Sequence, residues 1–82
     1  MMQGSELENL IKTGIPEAEV TVKGEGDHFE AIVVSQQFEG CSMVQQHQLV
    51  YATLGDRMSG EIHALALHTY TPDEWARQPR IQ

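Results

Sequence analysis

The chain has 82 residues, 40% of them hydrophobic, and no apolar run exceeds four residues, so we expect one small globular domain and no membrane-spanning segment. Twelve acidic residues against five basic ones give a formal net charge of −7, which disfavours binding to the phosphate backbone of a nucleic acid. The single cysteine, Cys41, excludes an internal disulfide, a zinc site built on paired thiolates and a self-contained four-cysteine iron–sulfur centre. Because the N-terminus lacks the basic and apolar regions of a signal peptide, we expect a soluble, cytoplasmic protein without a membrane partner.

The N-terminal residues predict a short amphipathic helix at about residues 6–13. Ser5 and Glu8 have the spacing of a capping box, in which each side chain bonds the backbone at the start of the helix. Gly14 suits the left-handed position that follows many helices, and Pro16 prevents continuation. The apolar stripe of this helix consists of Leu7, Leu10 and Ile11.

The next segment has the pattern of a β-hairpin. Two valines alternate with polar residues, and an apolar run follows a glycine-containing tip at residues 24–27. This pattern predicts strands near 18–23 and 28–35, and residues 36–40 interrupt the second of them.

The segment after Ser42 has helical periodicity and predicts a central helix at about 43–54 that ends at Gly55. Residues 56–59 predict one further turn. The apolar positions of the central helix share one face, which we expect to be buried. They are Met43, Val44, His47, Val50, Tyr51 and Leu54.

The last third of the chain predicts a strand at 62–70 and a final helix. Thr71 and Glu74 have capping-box spacing, and Pro72 occupies the favoured first helical position. Trp75 is expected to play a structural role by docking this helix on the sheet.

The order of elements predicts an α+β fold. The long helical connection between the second and third strands is typical of a parallel crossover. We therefore predict a two-layer sandwich in αββ(α)αβα order, with a three-stranded mixed sheet and the helices on one face. Residues 1–82 are expected to form a single domain, with its core at about 5–77.

This topology brings two of the four histidines together. Parallel neighbouring strands begin at the same edge of a sheet, about 4.8 Å apart, and His28 and His63 open the second and third strands. The residues alone leave open whether they form a metal-binding pair or are solvated turn residues. His68 is an odd number of positions from His63 and faces the other side of the sheet. We interpret His47 as a structural core histidine and Cys41 as a small residue that fills space.

No catalytic constellation is evident in the sequence. The serines lack a nucleophile-elbow pattern, and Cys41 lacks the context of a catalytic cysteine. The glycine tip precedes a strand rather than a helix, so it does not match a phosphate-binding loop. We expect no enzymatic activity.

The string at 62–71, Ile-His-Ala-Leu-Ala-Leu-His-Thr-Tyr-Thr, is the most specific of several motifs in the chain. The others are Asp27-His28-Phe29, Val33-Val34-Ser35, Phe38-Glu39-Gly40, His47 with Val50-Tyr51, and Thr71-Pro72-Asp73-Glu74-Trp75. Together, over roughly residues 5–77, these motifs resemble the BolA family. The short hairpin tip is similar to the compact, acid-stress-associated (IbaG-like) bacterial branch.

The resemblance implies a fold similar to a class II KH domain and a monothiol glutaredoxin as partner. Members of the family share a [2Fe-2S] cluster with that partner, which supplies its cysteine and a glutathione thiol. The BolA side supplies the histidine of the Ile-His-Ala motif, here His63, and a histidine or cysteine of the hairpin loop, here His28. The resemblance thus implies a non-enzymatic iron–sulfur adaptor in iron homeostasis or stress response that holds no cofactor when isolated.

Two other functions stay open. A DNA-binding transcriptional regulator would use a KH-like or helix-turn-helix surface built from the central helix and the turn at 55–60, with Gln46 and Arg57 as candidate contacts. The Gly-x-x-Gly clamp of KH domains is missing because Gly55 and Gly60 are separated by four residues, and the acidic charge also weighs against this function. The third function is an interaction module that binds no metal.

Overall fold

The computed structural model describes residues 3–25, 28–57 and 64–78, and there the predicted elements appear in the predicted order. None of the helices in these ranges is long and apolar enough to cross a membrane. The elements are α1 (Gly4–Gly14), β1 (Glu19–Glu25), β2 (His28–Val34), a 3₁₀ turn (Gln36–Phe38), α2 (Met43–Leu54), β3 (Ala64–Tyr70) and α3 (Pro72–Ala76). Two predicted features reach outside the described residues. They are the second half of the further turn predicted at 56–59 and the first two residues of the strand predicted at 62–70.

The three strands form one mixed sheet in the order β1-β2-β3. β1 and β2 are antiparallel, and Glu25 is the partner of His28 at the hairpin end. β2 and β3 are parallel, with α2 in the connection between them, so the predicted crossover and the α+β class are confirmed. The sheet is the frame that fixes the position of His28.

The core lies between the sheet and the two longer helices. α1 packs against β1, and α2 packs against α1 and β3. Alternate residues of each strand point into this layer, as the two-residue period of a strand requires. The buried core residues are Leu7, Ile11, Ile15, Ala18, Phe29, Ala31, Val33, Phe38, Val50, Leu54 and Leu67.

The start of α1 differs from the prediction. The helix begins after Gln3, whose backbone N–H donates to Oε1 of Glu6 at 3.2 Å, and Ser5 lies inside the first turn. The capping box at Ser5 and Glu8 is therefore wrong. Its spacing was correct for a helix start, but the same spacing occurs between Gln3 and Glu6, and this pair caps the longer helix.

Gly14 is the last residue of α1 and does not have a positive φ, so its predicted left-handed role is wrong. A Cβ atom at this position would collide with the Cγ2 atom of Thr53 and lie 2.9 Å from its Cβ. The glycine is required because α1 and α2 approach each other closely here.

The bounds of α2 are confirmed, but its buried face matches the predicted one only at Val50 and Leu54 and in part at His47. Ser42 caps the helix by accepting from Gln45 N at 3.2 Å, and Gly55 ends it with a φ of 57°. Gln46, Val50 and Leu54 face the core. The predicted face was wrong at its other apolar positions, since the side chains of Met43, Val44 and Tyr51 are exposed.

A polar contact that the sequence did not reveal closes the end of the sheet. The buried Ser35 donates its hydroxyl to the Glu17 carboxylate, at 2.8 Å from Oε2, and accepts from Gln37 N at 3.0 Å. Next to this contact, the half-buried ring of Trp75 lies against Tyr70 of β3, with centroids 5.2 Å apart. The hydrogen bond between Ser35 and Glu17 has no signal in the sequence, because the two residues belong to different connections.

Candidate functional site

The candidate site lies at the end of the sheet where the hairpin closes. His28 opens β2, as predicted, and its side chain is exposed. Its backbone is fixed on both sides, by Glu25 of β1 and by Ala64 of β3. The imidazole is therefore presented from a regular sheet rather than from a free loop.

The predicted partner of His28 is His63, which directly precedes β3 in the sequence. His63 lies outside the described residues. Ala64, the residue directly after it, pairs with His28 in the parallel register. The meeting of the two imidazoles stays a prediction.

Gly24 determines how closely the hairpin end approaches His28. Its φ is +107°, and a Cβ atom there would collide with the backbone oxygen of His28 and lie 3.1 Å from Cα of Phe29. Any other residue would be strained in this conformation and would push against the backbone that carries the imidazole.

His68 is an exposed residue of β3 with a carboxylate partner. Its Nε2 atom lies 3.1 Å from Oε2 of Glu30, and both side chains are close to half exposed, at 44% and 49%. A contact this accessible to water contributes little to stability. His68 is thus a surface residue.

Cys41 is half-buried, and its thiol lies 3.6 Å from the carbonyl oxygen of Gln37. Among the described residues, no three histidine, cysteine, aspartate or glutamate side chains converge to hold a metal ion. A metal centre that uses His28 therefore needs ligands from elsewhere.

The two candidate nucleic-acid contacts do not form one surface. Gln46 is only 5% exposed; its amide accepts from the Thr69 hydroxyl at 2.7 Å and donates to the Cys41 carbonyl at 3.1 Å. The interpretation of Gln46 as a contact residue is wrong, because both ends of its amide are used inside the fold. Arg57 is exposed and lines a cleft between α1 and α2 that also contains Glu6.

The other described basic residues are also close to acidic ones. Lys12 lies 3.5 Å from Glu8, and Arg77 lies 3.1 Å from Asp73. Lys23 is opposite Glu30 in the ladder between β1 and β2. Within the described ranges, no positive patch of the kind that tracks a phosphate backbone is formed.

His47 lies at the border of the buried face of α2. The residue is half-buried, its Nε2 atom is buried without a hydrogen-bond partner in the described structure, and its ring packs edge-on against Tyr51 at 6.3 Å. A buried polar atom without a partner costs stability. The contribution of His47 to the fold thus comes from packing and not from a hydrogen bond of this nitrogen.

We expect His47→Ala to lower the free energy of unfolding by about 1–2 kcal/mol through lost packing. His47→Leu should lose less, because leucine fills the space without an unpartnered nitrogen. Urea unfolding measures both. Unchanged stability in His47→Ala would show that the role of His47 is not structural.

Comparison with known proteins points to one family. A profile of the BolA-like protein family matches residues 10–74. The chain is 36% identical over 81 residues to the acid stress protein IbaG of Escherichia coli K12, covering 98% of this chain and 96% of that one. It is 49% identical over 53 residues to the DNA-binding transcriptional regulator BolA of Vibrio cholerae, covering 65% of this chain and 50% of the relative.

Solved structures agree with this result. A BolA homologue from Coxiella burnetii superposes with a TM-score of 0.84 at 45% identity, covering 94% of this chain and all of that one. BolA1 from Arabidopsis thaliana superposes with a TM-score of 0.78 at 26% identity, covering 96% and 99% of the two chains. The names of these relatives are those of a stress protein, a regulator and BolA proteins, and none is the name of an enzyme.

Proposed function

The chain belongs to the BolA-like family, and from that membership we propose that it is a non-enzymatic iron–sulfur adaptor. In this role it pairs with a monothiol glutaredoxin, and the two proteins together hold or transfer a [2Fe-2S] cluster. The process that it serves is iron homeostasis or the response to stress.

The observation that carries the proposal is the position of His28. It is an exposed imidazole on a rigid strand end, opposite the residue that follows His63 in the chain. Imidazoles replace two thiolates as iron ligands in Rieske-type clusters, so two histidines are a chemically suitable half of a ligand set. His28 and His63 are the ligands that we propose.

The need for a partner follows from the number of ligands. A two-iron cluster takes four protein or thiol ligands, and Cys41 is the only thiol of this chain. We propose that the missing ligands are the glutaredoxin cysteine and the thiol of glutathione. The cluster, when bound, supplies the electron-transfer and iron-carrying chemistry, whereas this chain contributes binding and orientation.

Anaerobic reconstitution with a monothiol glutaredoxin, glutathione, iron and sulfide tests the proposal. We expect a brown complex whose native mass equals one copy of each protein plus the cluster and glutathione. A glutaredoxin whose active-site cysteine is replaced by serine serves as the control. A chain that stays colourless, beside a glutaredoxin that keeps its own cluster, would favour an interaction module that binds no metal.

The regulator alternative has weaker support in this molecule. The name of the Vibrio cholerae relative speaks for it, but Gln46 is buried and the described basic residues lie close to acidic ones. Titration of a labelled promoter fragment at physiological salt should therefore show no affinity tighter than micromolar, the non-specific range. A nanomolar, sequence-dependent complex of the isolated chain would contradict this and establish the regulator function.

A further inference from the structure

An uncharged surface runs over two neighbouring elements of the molecule. α2 and β3 contain no lysine, arginine, aspartate or glutamate, although 21% of the chain is charged. All large hydrophobic side chains that are exposed in the described structure belong to α2; they are Met43, Val44, Leu49 and Tyr51. Exposed apolar surface next to uncharged surface is typical of an interaction site.

β3 is an edge strand of the sheet. The Ser35 N–H donates to the Tyr70 carbonyl at 3.1 Å, so the backbone groups of Tyr70 face β2. Because these groups alternate along a parallel strand, the backbone groups of Leu65, Leu67 and Thr69 face outward. No strand of the described structure pairs with this side.

β3 also lacks the features that keep edge strands apart. Natural edge strands are usually protected by lysine, proline or a bulge. The sequence of β3 is Ala-Leu-Ala-Leu-His-Thr-Tyr and contains no charged residue, proline or glycine. The other edge strand, β1, contains Glu19, Lys23 and Gly24.

The exposed side chains of α2 continue this edge. The side chain of Thr53 lies against Gly14 of α1, so the side of α2 that carries Thr53 faces α1. With about 100° per residue, Val44 and Tyr51 lie on the opposite side of the helix from Thr53. α2 also reaches β3, since the Thr69 hydroxyl lies 3.6 Å from the sulfur of Met43. Val44 and Tyr51 therefore lie on the side of α2 that is turned away from α1.

We propose that a second copy of this chain docks on this surface, with the two β3 strands pairing antiparallel about a twofold axis at Leu67. In this register Leu67 pairs with Leu67 of the second copy, and Leu65 pairs with Thr69. Every outward-facing backbone group of the three residues then has a partner. The sheets of the two copies become one continuous sheet.

The surface is suited to a second copy because it is self-complementary. His47 lies three residues after Val44 and four before Tyr51, close to their midpoint, so two α2 helices that cross antiparallel near His47 bring Val44 against Tyr51 of the other copy. Although each copy carries a net charge of −7, no acidic side chain belongs to either element, so the contact itself places no like charges against each other. The proposal does not depend on the iron–sulfur function.

Sedimentation equilibrium from about 1 µM to about 1 mM tests the proposal, and we expect a concentration-dependent dimer. Tyr51→Lys should raise the dimer dissociation constant at least about tenfold, because it removes an aromatic contact and places a charge without a partner against Val44 of the other copy. Leu49→Lys is the matched control. Leu49 is equally exposed, at 37%, but lies on a different side of α2 from Val44 and Tyr51. Val44→Lys provides a second test at a more exposed position.

Amide hydrogen exchange tests the pairing itself. The amides of Leu67 and Thr69 should become more protected as the concentration rises, whereas those of Ala66 and His68, which face β2, should not change. A chain that is monomeric throughout the range overturns the proposal, as does a dimer that Tyr51→Lys and Leu49→Lys weaken equally. Protection of Leu67 that appears only when a glutaredoxin is added would assign the edge to a segment of that protein and also overturn it.

Discussion

Replacing His63 by alanine is expected to abolish the visible charge-transfer absorption of the cluster that we propose this chain shares with a monothiol glutaredoxin. His63 is the histidine of the Ile-His-Ala motif and directly precedes Ala64, the partner of His28 in the sheet. Loss of a ligand leaves one iron incompletely coordinated. Replacing a residue that only hydrogen-bonds to a metal ligand already costs about 10–100-fold in metal affinity. We therefore expect loss of a ligand itself to lower the cluster yield at least tenfold.

His68→Ala is the matched control for this variant. His68 is an exposed histidine of β3, the strand that follows His63, and its contact is with Glu30. Its removal should leave the spectrum unchanged. An unaltered spectrum and an unaltered rate of cluster loss in His63→Ala would show that His63 is not a ligand.

His28→Ala is expected to have a weaker effect than His63→Ala. The resemblance assigns either histidine or cysteine to the position of His28, so the site tolerates different donors there. We expect the complex to form but to lose its cluster faster. His28→Cys should restore the slower rate, because a thiolate also binds iron in such clusters. Faster loss that cysteine does not reverse would indicate that His28 acts by shaping the hairpin and not as a ligand.

Gly24→Ala is expected to lower the free energy of unfolding by about 2–3 kcal/mol. The position combines a φ of +107° with a collision between any Cβ atom and the backbone oxygen of His28. A backbone atom within a sheet cannot move aside as a side chain can. The variant should therefore also displace the backbone of His28 and accelerate cluster loss, which urea unfolding and absorption spectroscopy measure separately.

Gly40→Ala separates the two causes of this effect. Gly40 has a φ of +80°, but nothing lies within 4 Å of a Cβ atom at that position. Its replacement should cost about 1 kcal/mol from backbone conformation alone, with no change in cluster lifetime. Equal losses of stability in the two variants would show that close approach to His28 contributes nothing.

The sequence was most informative where a signal is local. The capping box at Thr71 and Glu74, the cap at Ser42 and the glycine stop at Gly55 determine helix bounds by bonds between near neighbours. The order of elements then requires a crossover, and this requirement led to the mixed sheet. Local rules were ambiguous at α1, where two pairs of residues had the spacing of a capping box.

Properties that depend on tertiary contacts were not predictable from the sequence. The apolar stripe of α2 indicated burial of Val44 and Tyr51, but the core takes Gln46, whose amide bonds Thr69 of β3. A buried amide bond between distant elements leaves no periodic signal. For the same reason, the sequence suggested a left-handed role for Gly14 and did not reveal that Thr53 lies against it.

For the candidate site, the sequence predicted the strand that His28 opens and the strand that lies beside it. It did not predict that the backbone of His28 is held on both sides or that Gly24 controls its approach. Both features come from the register of the hairpin, which turn residues alone do not determine.

The most direct test of the iron–sulfur proposal is pulsed electron paramagnetic resonance of the reduced complex, made with this chain labelled with ¹⁵N-histidine and with an unlabelled glutaredoxin. Ligation by His28 and His63 predicts strong ¹⁵N hyperfine couplings that are absent from the unlabelled complex and are reduced in His28→Ala. A reduced cluster without ¹⁵N couplings would contradict the account, because no histidine of this chain would then be a ligand.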